Sequence, residues 1–490
     1  MLKSIRQMIE ALTENQILYC HWKSNEHLEA ALNGDTDLDM LFLPEQRSEL
    51  ERILNMCGLK RFRSTSLMQY TAIEDFIGFD QETAKIWHLH LHYRMTLGEK
   101  HLKGYTVTPW GRMVLESRIL DADGIYISCP EDELLLLFIR MALKLRWRDF
   151  FSKIGKDDIV ESEWLYKRID RDKFISRGKE LIGEQGVKYV LNYIDINVNN
   201  KSQLFEFQKY LRKYLKPFTA YSTFRSWIVR TKREVYWGIG GIQRRLAANL
   251  SRPNRRISPS GGGVIVFLGC DGAGKSTTLD YVKKELSKKI DVKHVYLGSG
   301  DGSSSFLRKP MKIVARKIGG KGVGRAVKSE YSTGKKVSWK ARMYSCAKVI
   351  WAATLAYEKK KKLRQITKAR NNGMVVLVDR YPQTNIPDVS DGPLLTRYLK
   401  KKKGFLYLIA KWELKIYRSA AMNAPDLTVK LVVPAEVAIS RKPEMTVEEI
   451  ESKKKAVMDM DLRNASCIVD TSVEKKVSFS KVMDEIWRIL

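Results

Sequence analysis

Residues 264–278 read Val-Ile-Val-Phe-Leu-Gly-Cys-Asp-Gly-Ala-Gly-Lys-Ser-Thr-Thr, an apolar strand that runs into a glycine-rich loop and then a helix. The spacing Gly269-x4-Gly274-Lys275-Ser276 is the phosphate-binding loop pattern in the setting it requires. Glycine at these positions admits positive φ and lets consecutive N–H groups curl round a phosphate. Gly269, Asp271, Gly272, Ala273, Gly274, Lys275, Ser276 and Thr277 are therefore the expected nucleotide-binding residues. Lys275 suits the β and γ phosphates, the Ser276 hydroxyl suits Mg²⁺, and the helix contributes its positive N-terminal end. A nucleoside triphosphate and Mg²⁺ are the ligands this implies. An ordinary glycine-rich turn is the competing reading.

The rest of residues 261–490 alternates strand and helix. Strands are expected at 264–269, 292–297, 374–379, 427–433 and 466–470, with helices at 276–288, 337–370, 446–458 and 474–490. That order implies an α/β fold, a parallel sheet with helices on both faces. Met374-Val-Val-Leu-Val-Asp379-Arg380-Tyr381 is a buried strand ending in an acid and a base. A carboxylate at that edge, beside the loop, can hold Mg²⁺ or its waters, or accept a hydroxyl proton. Arg380 can clamp a phosphate through two N–H groups.

Taken together, Gly269-Cys-Asp271-Gly-Ala-Gly-Lys-Ser-Thr, Asp379-Arg-Tyr and Ala424-Pro425-Asp426-Leu-Thr-Val-Lys-Leu resemble the thymidylate kinase family of P-loop kinases. The likeness spans roughly the last 230 residues, with the three motifs in the family's order, and includes a lid-like Arg441-Lys442 before a Glu-rich helix at 446–458. It implies that Asp271 faces the substrate or its sugar hydroxyl, that Arg380 positions the acceptor phosphate, and that Arg441 closes over the transferring group. Lys275, Asp379, Arg380 and Arg441 are then the catalytic set, with Ser276 and Asp379 on Mg²⁺, and ATP and Mg²⁺ are the cofactors of this kinase reading. The family's Arg-Glu-Pro segment is missing: its place reads Tyr296-Leu-Gly-Ser-Gly-Asp-Gly, and a basic insertion (307–336) follows. Thymidylate is therefore not implied as the acceptor. Asp301 is a candidate acceptor-side carboxylate or a turn residue.

Charge is the second strong signal. The 490 residues carry 87 Lys and Arg against 56 Asp and Glu, a net charge of +31. Residues 209–256 hold 13 basic residues and one acid, Glu234, and 301–370 hold 20 against three. Such an excess attracts polyanions. The segment 206–260, with interleaved aromatics and a Pro/Gly/Ser-rich end, is expected to be a basic linker, either a helical tether or an interfacial segment on anionic lipid. Nucleic acid is disfavoured, because no recognisable nucleic-acid-binding motif accompanies the charge. Hydrophobic residues make up 44% and no apolar run approaches membrane-spanning length. The opening residues lack a secretory signal, and six cysteines without a CxxC pair suit a reducing compartment. A cytoplasmic location is expected, with peripheral contact on the inner face of the membrane.

Residues 1–205 read as an α+β domain with a helical extension. His21-Trp-Lys23-Ser24-Asn25 precedes Gly34-Asp-Thr-Asp37-Leu-Asp39-Met-Leu. Two carboxylates at i and i+2 of a strand face one side and can chelate a metal jointly. This resembles the nucleotidyltransferase superfamily of the polymerase-β type, in which a Gly-Ser near a helix start holds triphosphate and Asp-x-Asp holds metals. Asp37 and Asp39 would form that second metal site. Lys23 stands where glycine is usual, and His90 stands where a third carboxylate belongs. Trp87-His-Leu-His-Leu-His-Tyr-Arg alternates with period two and is expected to be a strand with one buried face; His88, His90 and His92 on one strand do not by themselves read as a zinc site.

The sequence thus predicts a 1–205 nucleotidyltransferase-like domain, a 206–260 linker and a 261–490 P-loop kinase domain. The expected activity is transfer of the ATP γ-phosphoryl group to a nucleotide or another small or glycan-linked anionic acceptor, with a homodimer among the expected assemblies. The alternatives are nucleotidyl transfer through Asp37 and Asp39, or a non-catalytic ATP-gated protein at membrane or nucleic acid.

Overall fold

The computed structural model describes residues 1–146, 155–196, 201–245, 251–298, 339–384 and 391–490. Asp301 and the basic insertion lie outside the described residues. The chain divides into two compact units, Met1–Ala248 with Asn254–Pro259, and Asn249–Pro253 with Ser260–Leu490.

The first unit is built on a mixed sheet. Its strands are β1 (Tyr19–His21), β2 (Asp37–Phe42), β3 (Lys60–Ser64), β4 (Ile73–Asp80) and β5 (Lys85–His92). A separate ribbon pairs β6 (Met95–Leu97) with β7 (Tyr105–Val107), and the sheet is completed by β8 (Ile119–Leu120), β9 (Tyr126–Ile127) and β10 (Arg256–Ile257). The sheet order is β10-β3-β4-β5-β2-β1-β9-β8. Strands β2 and β5 run parallel, with Asp37 opposite His88 and Asp39 opposite His90.

Period-two alternation sorts the faces. Leu38, Met40 and Phe42 of β2 and Trp87, Leu89 and Leu91 of β5 share a core with Ile5, Met8 and Leu12 of the helix Lys3–Glu14 and with Leu50, Ile53 and Leu54 of the helix Arg47–Met56. Spacing of three and four gives each helix one apolar stripe for that face. The opposite face carries the acids and histidines, and part of it too is buried: His88 and His92 are each 1% exposed, whereas Asp39 and His90 are half-buried and Asp37 is exposed. The one-sided burial expected for β5 is corrected here. Trp22 lies edge-on to His92 with ring centroids 5.2 Å apart, and His88 sits between Asp37 and Asp75 at 2.9 and 2.8 Å.

The helix Pro130–Lys144 is buried on almost every side, because the helices Arg171–Ile196 and Lys201–Tyr214 wrap it. The expected linker at 206–260 is corrected over 206–245. Phe207 and Leu211 are core residues there, and Gln208 Nε2 donates to the carbonyls of Ala142 and Leu145 at 2.7 and 2.8 Å. The helix Thr223–Arg245 is tied down by Arg233, which donates to the carbonyls of Gln69, His101 and Leu102, and by the Arg230–Glu99 ion pair at 2.9 Å. Buried Phe207 and Leu211 and the bonds of Gln208, Arg230 and Arg233 therefore make this segment a pair of docked helices and not a free tether, while Phe224, Trp227 and Trp237 stay exposed.

In the second unit, β11 (Gly263–Gly269) is central among β12 (Val292–Tyr296), β13 (Val375–Asp379), β14 (Leu427–Val432) and β15 (Ala465–Asp470). The order is β12-β13-β11-β14-β15 and every pairing is parallel. Val264, Val266 and Leu268 pack with Ile366 of the helix Trp339–Asn371 and Val457 of the helix Val447–Met458. The helices Lys275–Ser287 and Lys475–Ile489 pair on the other face, with Tyr281 and Phe479 stacked at 4.2 Å. The sheet reverses its build direction at β11, which opens a crevice at the C-terminal ends of β11 and β13.

The Pro425-Asp426 strand entry works at the opposite edge. Asp426 Oδ2 accepts from the N–H of Val264 at 2.8 Å, and its Oδ1 accepts from Arg370 at 2.6 Å. Asp426→Ala should leave the nucleotide cleft intact while lowering the stability of this unit by about 1–3 kcal/mol, read as a lower urea midpoint in circular dichroism.

Candidate active site

The loop after β11 is shaped by what crowds it. Gly272 has φ +81°, and a Cβ there would lie 2.7 Å from the carbonyl oxygen of Ala438. Gly274 has φ +74° and caps the helix Lys275–Ser287. Thr471, just past β15, braces the loop from behind: its Oγ1 donates to the carbonyl of Ala273 at 3.2 Å, or to that of Val432 at the same distance.

A cleft of about 960 Å³ opens over this loop, lined by Asp271, Gly272, Gly274, Lys275, Ser276, Thr277, Asp379, Arg380 and Arg441. Ala273 is buried within the loop, and Gly269 ends β11 beneath it. Lys275 Nζ donates to the carbonyls of Gly269 and Cys270 at 2.8 and 2.7 Å. Burial, then the charge of Arg380, pushes its amine below the usual lysine range. Asp379 ends β13 opposite Phe267 of β11. Burial raises its carboxyl against the pull of Lys275 and Arg380, and its Oδ1 is buried with no hydrogen-bond partner among the described residues.

Arg380 has φ +67°, a left-handed backbone that an arginine adopts only under constraint. Its N–H is held by the carbonyl of Phe267 at 3.1 Å, and its guanidinium stands 3.7 Å from both Asp271 and Asp391. Burial favours the uncharged form of Asp271, but the Lys453 hydrogen bond at 2.6 Å and the charges of Lys453, Lys275 and Arg380 outweigh it and hold the carboxyl low. Arg441 ends the helix Ala435–Arg441 and reaches back onto the loop, donating to the carbonyls of Gly272 at 3.1 Å and Thr471 at 2.8 Å.

Several residues of the cleft went unread in the sequence. Lys362 donates to the carbonyl of Tyr296 at 2.9 Å, and His294 lines the wall beside Asp379. Lys362 lies in a Lys-rich helix whose composition marks none of its members, and His294 carries no motif. Lys453 is 182 residues from Asp271, so only the folded chain pairs them.

In the first unit the expected triphosphate loop is already occupied. The N–H groups of Ser24 and Asn25 donate to Glu161 at 3.2 Å and Glu133 at 2.9 Å. Asp37 pairs with His88, whereas Asp39 Oδ1 lies 2.9 Å from Lys23 Nζ and 2.7 Å from His90 Nδ1. Lys23 and both histidine bonds overcome burial and hold Asp39 well below the carboxylate range.

No family model matches the chain. It is 29% identical over 230 residues to YghR of Escherichia coli K12, described as an uncharacterized ATP-binding protein, covering 46% of this chain and 84% of that one. YghS of the same organism, described in the same words, is 27% identical over 195 residues, covering 39% and 77%. Similar solved structures include a thymidylate kinase from Candida albicans, at 18% identity and a TM-score of 0.25, covering 46% of this chain and 91% of that one. A deoxyadenosine kinase from M. mycoides with bound dATP has 15% identity and a TM-score of 0.25, covering 46% and 98%.

Burial pushes the Glu133 carboxyl up to about 7 from an ordinary value of 4.5, in spite of its bonds from Asn25. The folded unit therefore holds a proton that the unfolded chain releases. The stability linked to it is full below pH 4.5 and is lost as pH rises through about 7. Urea midpoints should fall across that window in the native chain, and Glu133→Gln should flatten the slope.

Proposed function

We propose that the protein is an ATP-dependent phosphotransferase of P-loop kinase type that passes the γ-phosphoryl group to a nucleotide or another small or glycan-linked anionic acceptor. The observation that carries this reading is the convergence of Lys275, Arg380, Arg441 and the partnerless Oδ1 of Asp379 on one cleft over a glycine loop. Similarity to proteins described as ATP-binding supports the donor side.

Phosphoryl transfer asks a protein for positioning and for cations around developing charge. The loop N–H groups and Lys275 would cradle the β and γ phosphates. Ser276, exposed to the cleft, and Asp379 would hold Mg²⁺, whose charge offsets that of the phosphates. A buried carboxylate oxygen without a donor fits a cation ligand. Arg380 would orient the acceptor from the β13 side, Arg441 would meet the transferring group from the other, and Asp271, flanked by Lys453 and Arg380, would receive an acceptor hydroxyl. Nucleotidyl transfer by residues 1–205 has less support, because Glu161 and Glu133 take the amides that a triphosphate would need.

We infer a peripheral membrane contact from the helix Thr223–Arg245. Phe224, Trp227, Val235, Ile239 and Ile242 are exposed there and fall along one helical stripe, with Arg225 and Lys232 beside it. Apolar side chains flanked by cations suit an anionic bilayer surface, where each cation adds about 1 kcal/mol. No helix among the described residues is long and apolar enough to cross a membrane.

With γ-labelled ATP and a panel of nucleoside monophosphates, sugars and cell-envelope extracts, one acceptor class should become labelled. Lys275→Ala should abolish labelling while leaving the circular dichroism spectrum unchanged; label transfer that persists in this variant sinks the reading. For the membrane contact, vesicles rich in anionic lipid should sediment the native chain and not a Phe224→Ser/Trp227→Ser/Ile242→Ser variant. A native dimer dissolved by the same changes would instead assign the stripe to a second copy.

A further inference from the structure

We propose that Asp39, His90 and His92 form a three-ligand site for a divalent transition-metal ion of the Zn²⁺ class, open to an additional oxygen ligand. The site lies in the first unit and stands apart from the phosphotransferase reading.

The parallel register of β2 and β5 sets Asp39 beside His90, and period-two alternation brings His92 to the same face. Three donor atoms then converge. His90 Nδ1 lies 2.7 Å from Asp39 Oδ1, His92 Nε2 lies 3.4 Å from the same oxygen, and the two nitrogens are 3.3 Å apart. Ligands about 2.1 Å from one metal ion, at right to tetrahedral angles, are about 3.0–3.4 Å from each other. The three edges of this triangle thus come close to those of a coordination face. The second strand supplies the third ligand that three histidines on a single strand lack.

The donor set selects the ion. Two imidazoles and one carboxylate favour Zn²⁺, Co²⁺, Ni²⁺ or Fe²⁺ over Mg²⁺, which prefers oxygen and retains its water. Three protein ligands leave at least one position for water or an anionic oxygen, as in catalytic rather than closed structural sites. His90 would ligate through Nδ1 as the neutral tautomer that carries its proton on Nε2. Burial and the edge-on Trp22 ring hold His92 in place.

Lys23 is the built-in competitor. Its Nζ sits 2.9 Å from Asp39 Oδ1 and supplies positive charge to the same carboxylate. A metal ion must displace that ammonium or bind against its repulsion. This predicts an effect of opposite sign from ligand loss, which a merely structural cluster would not produce.

The test is equilibrium dialysis of the untagged full-length chain, stripped with chelator, against Co²⁺ in excess Mg²⁺. One Co²⁺ per chain is expected, with visible d–d absorption that Zn²⁺ abolishes. His90→Gln, at a partly exposed position, should weaken binding by more than the roughly 10–100-fold lost with a supporting partner. Lys23→Met should tighten it by about tenfold or more. Absent stoichiometric Co²⁺, unchanged affinity in His90→Gln, or weaker binding in Lys23→Met would overturn the site. None of these outcomes bears on label transfer through Lys275.

Discussion

The close approach of backbone to backbone at the end of β11 is the constraint on which the second unit depends. A Cβ at Gly269 would lie 2.8 Å from the carbonyl of Leu431, and one at Gly272 would lie 2.7 Å from that of Ala438. Those contacts press the loop against β14 and the helix Ala435–Arg441. They also bring Arg441 within reach of the Gly272 carbonyl and Thr471 within reach of that of Ala273. Side chains here would force the loop away from the sheet, and the cleft would lose its floor.

Around that floor, cations outnumber acids. Lys275, Arg380, Arg441, Lys442 and Lys362 line the cleft against Asp271 and Asp379. Burial strengthens their mutual repulsion, visible in Lys275, whose amine is pushed down by burial and then by Arg380. A polyanion relieves this repulsion, which is why such a cleft suits phosphates. Asp391 and Asp271 keep Arg380 charged and aimed, and the left-handed backbone at Arg380 shows that its placement costs conformational energy.

The first unit solves a different electrostatic problem. Glu131, Asp132 and Glu133 open the helix Pro130–Lys144 and all three are buried, where unpaired carboxylates would be costly. Each has a partner: Lys173 and the Asp170 amide for Glu131, Arg177 for Asp132, and Asn25 for Glu133. These partners draw the helical layer onto the loop after β1. That same loop places Lys23 on Asp39, so packing of the helices and chemistry of the sheet face are linked through five residues, 21–25.

The strand, loop and helix at 264–288 and the acid–base pair at 379–380 were legible in sequence, because each is a run of neighbouring residues whose types alone carry the chemistry. The five-stranded parallel sheet was legible too, since alternating apolar runs and amphipathic helices admit few topologies. Tertiary structure decided what depends on partners far along the chain. It paired Lys453 with Asp271, set Thr471 behind the loop, and turned the basic segment at 206–245 into docked helices. It also brought Asp39, 51 residues away, to His90. A single lysine or histidine has no local pattern to announce such a role. Only the register of strands and the burial that surrounds it confer one.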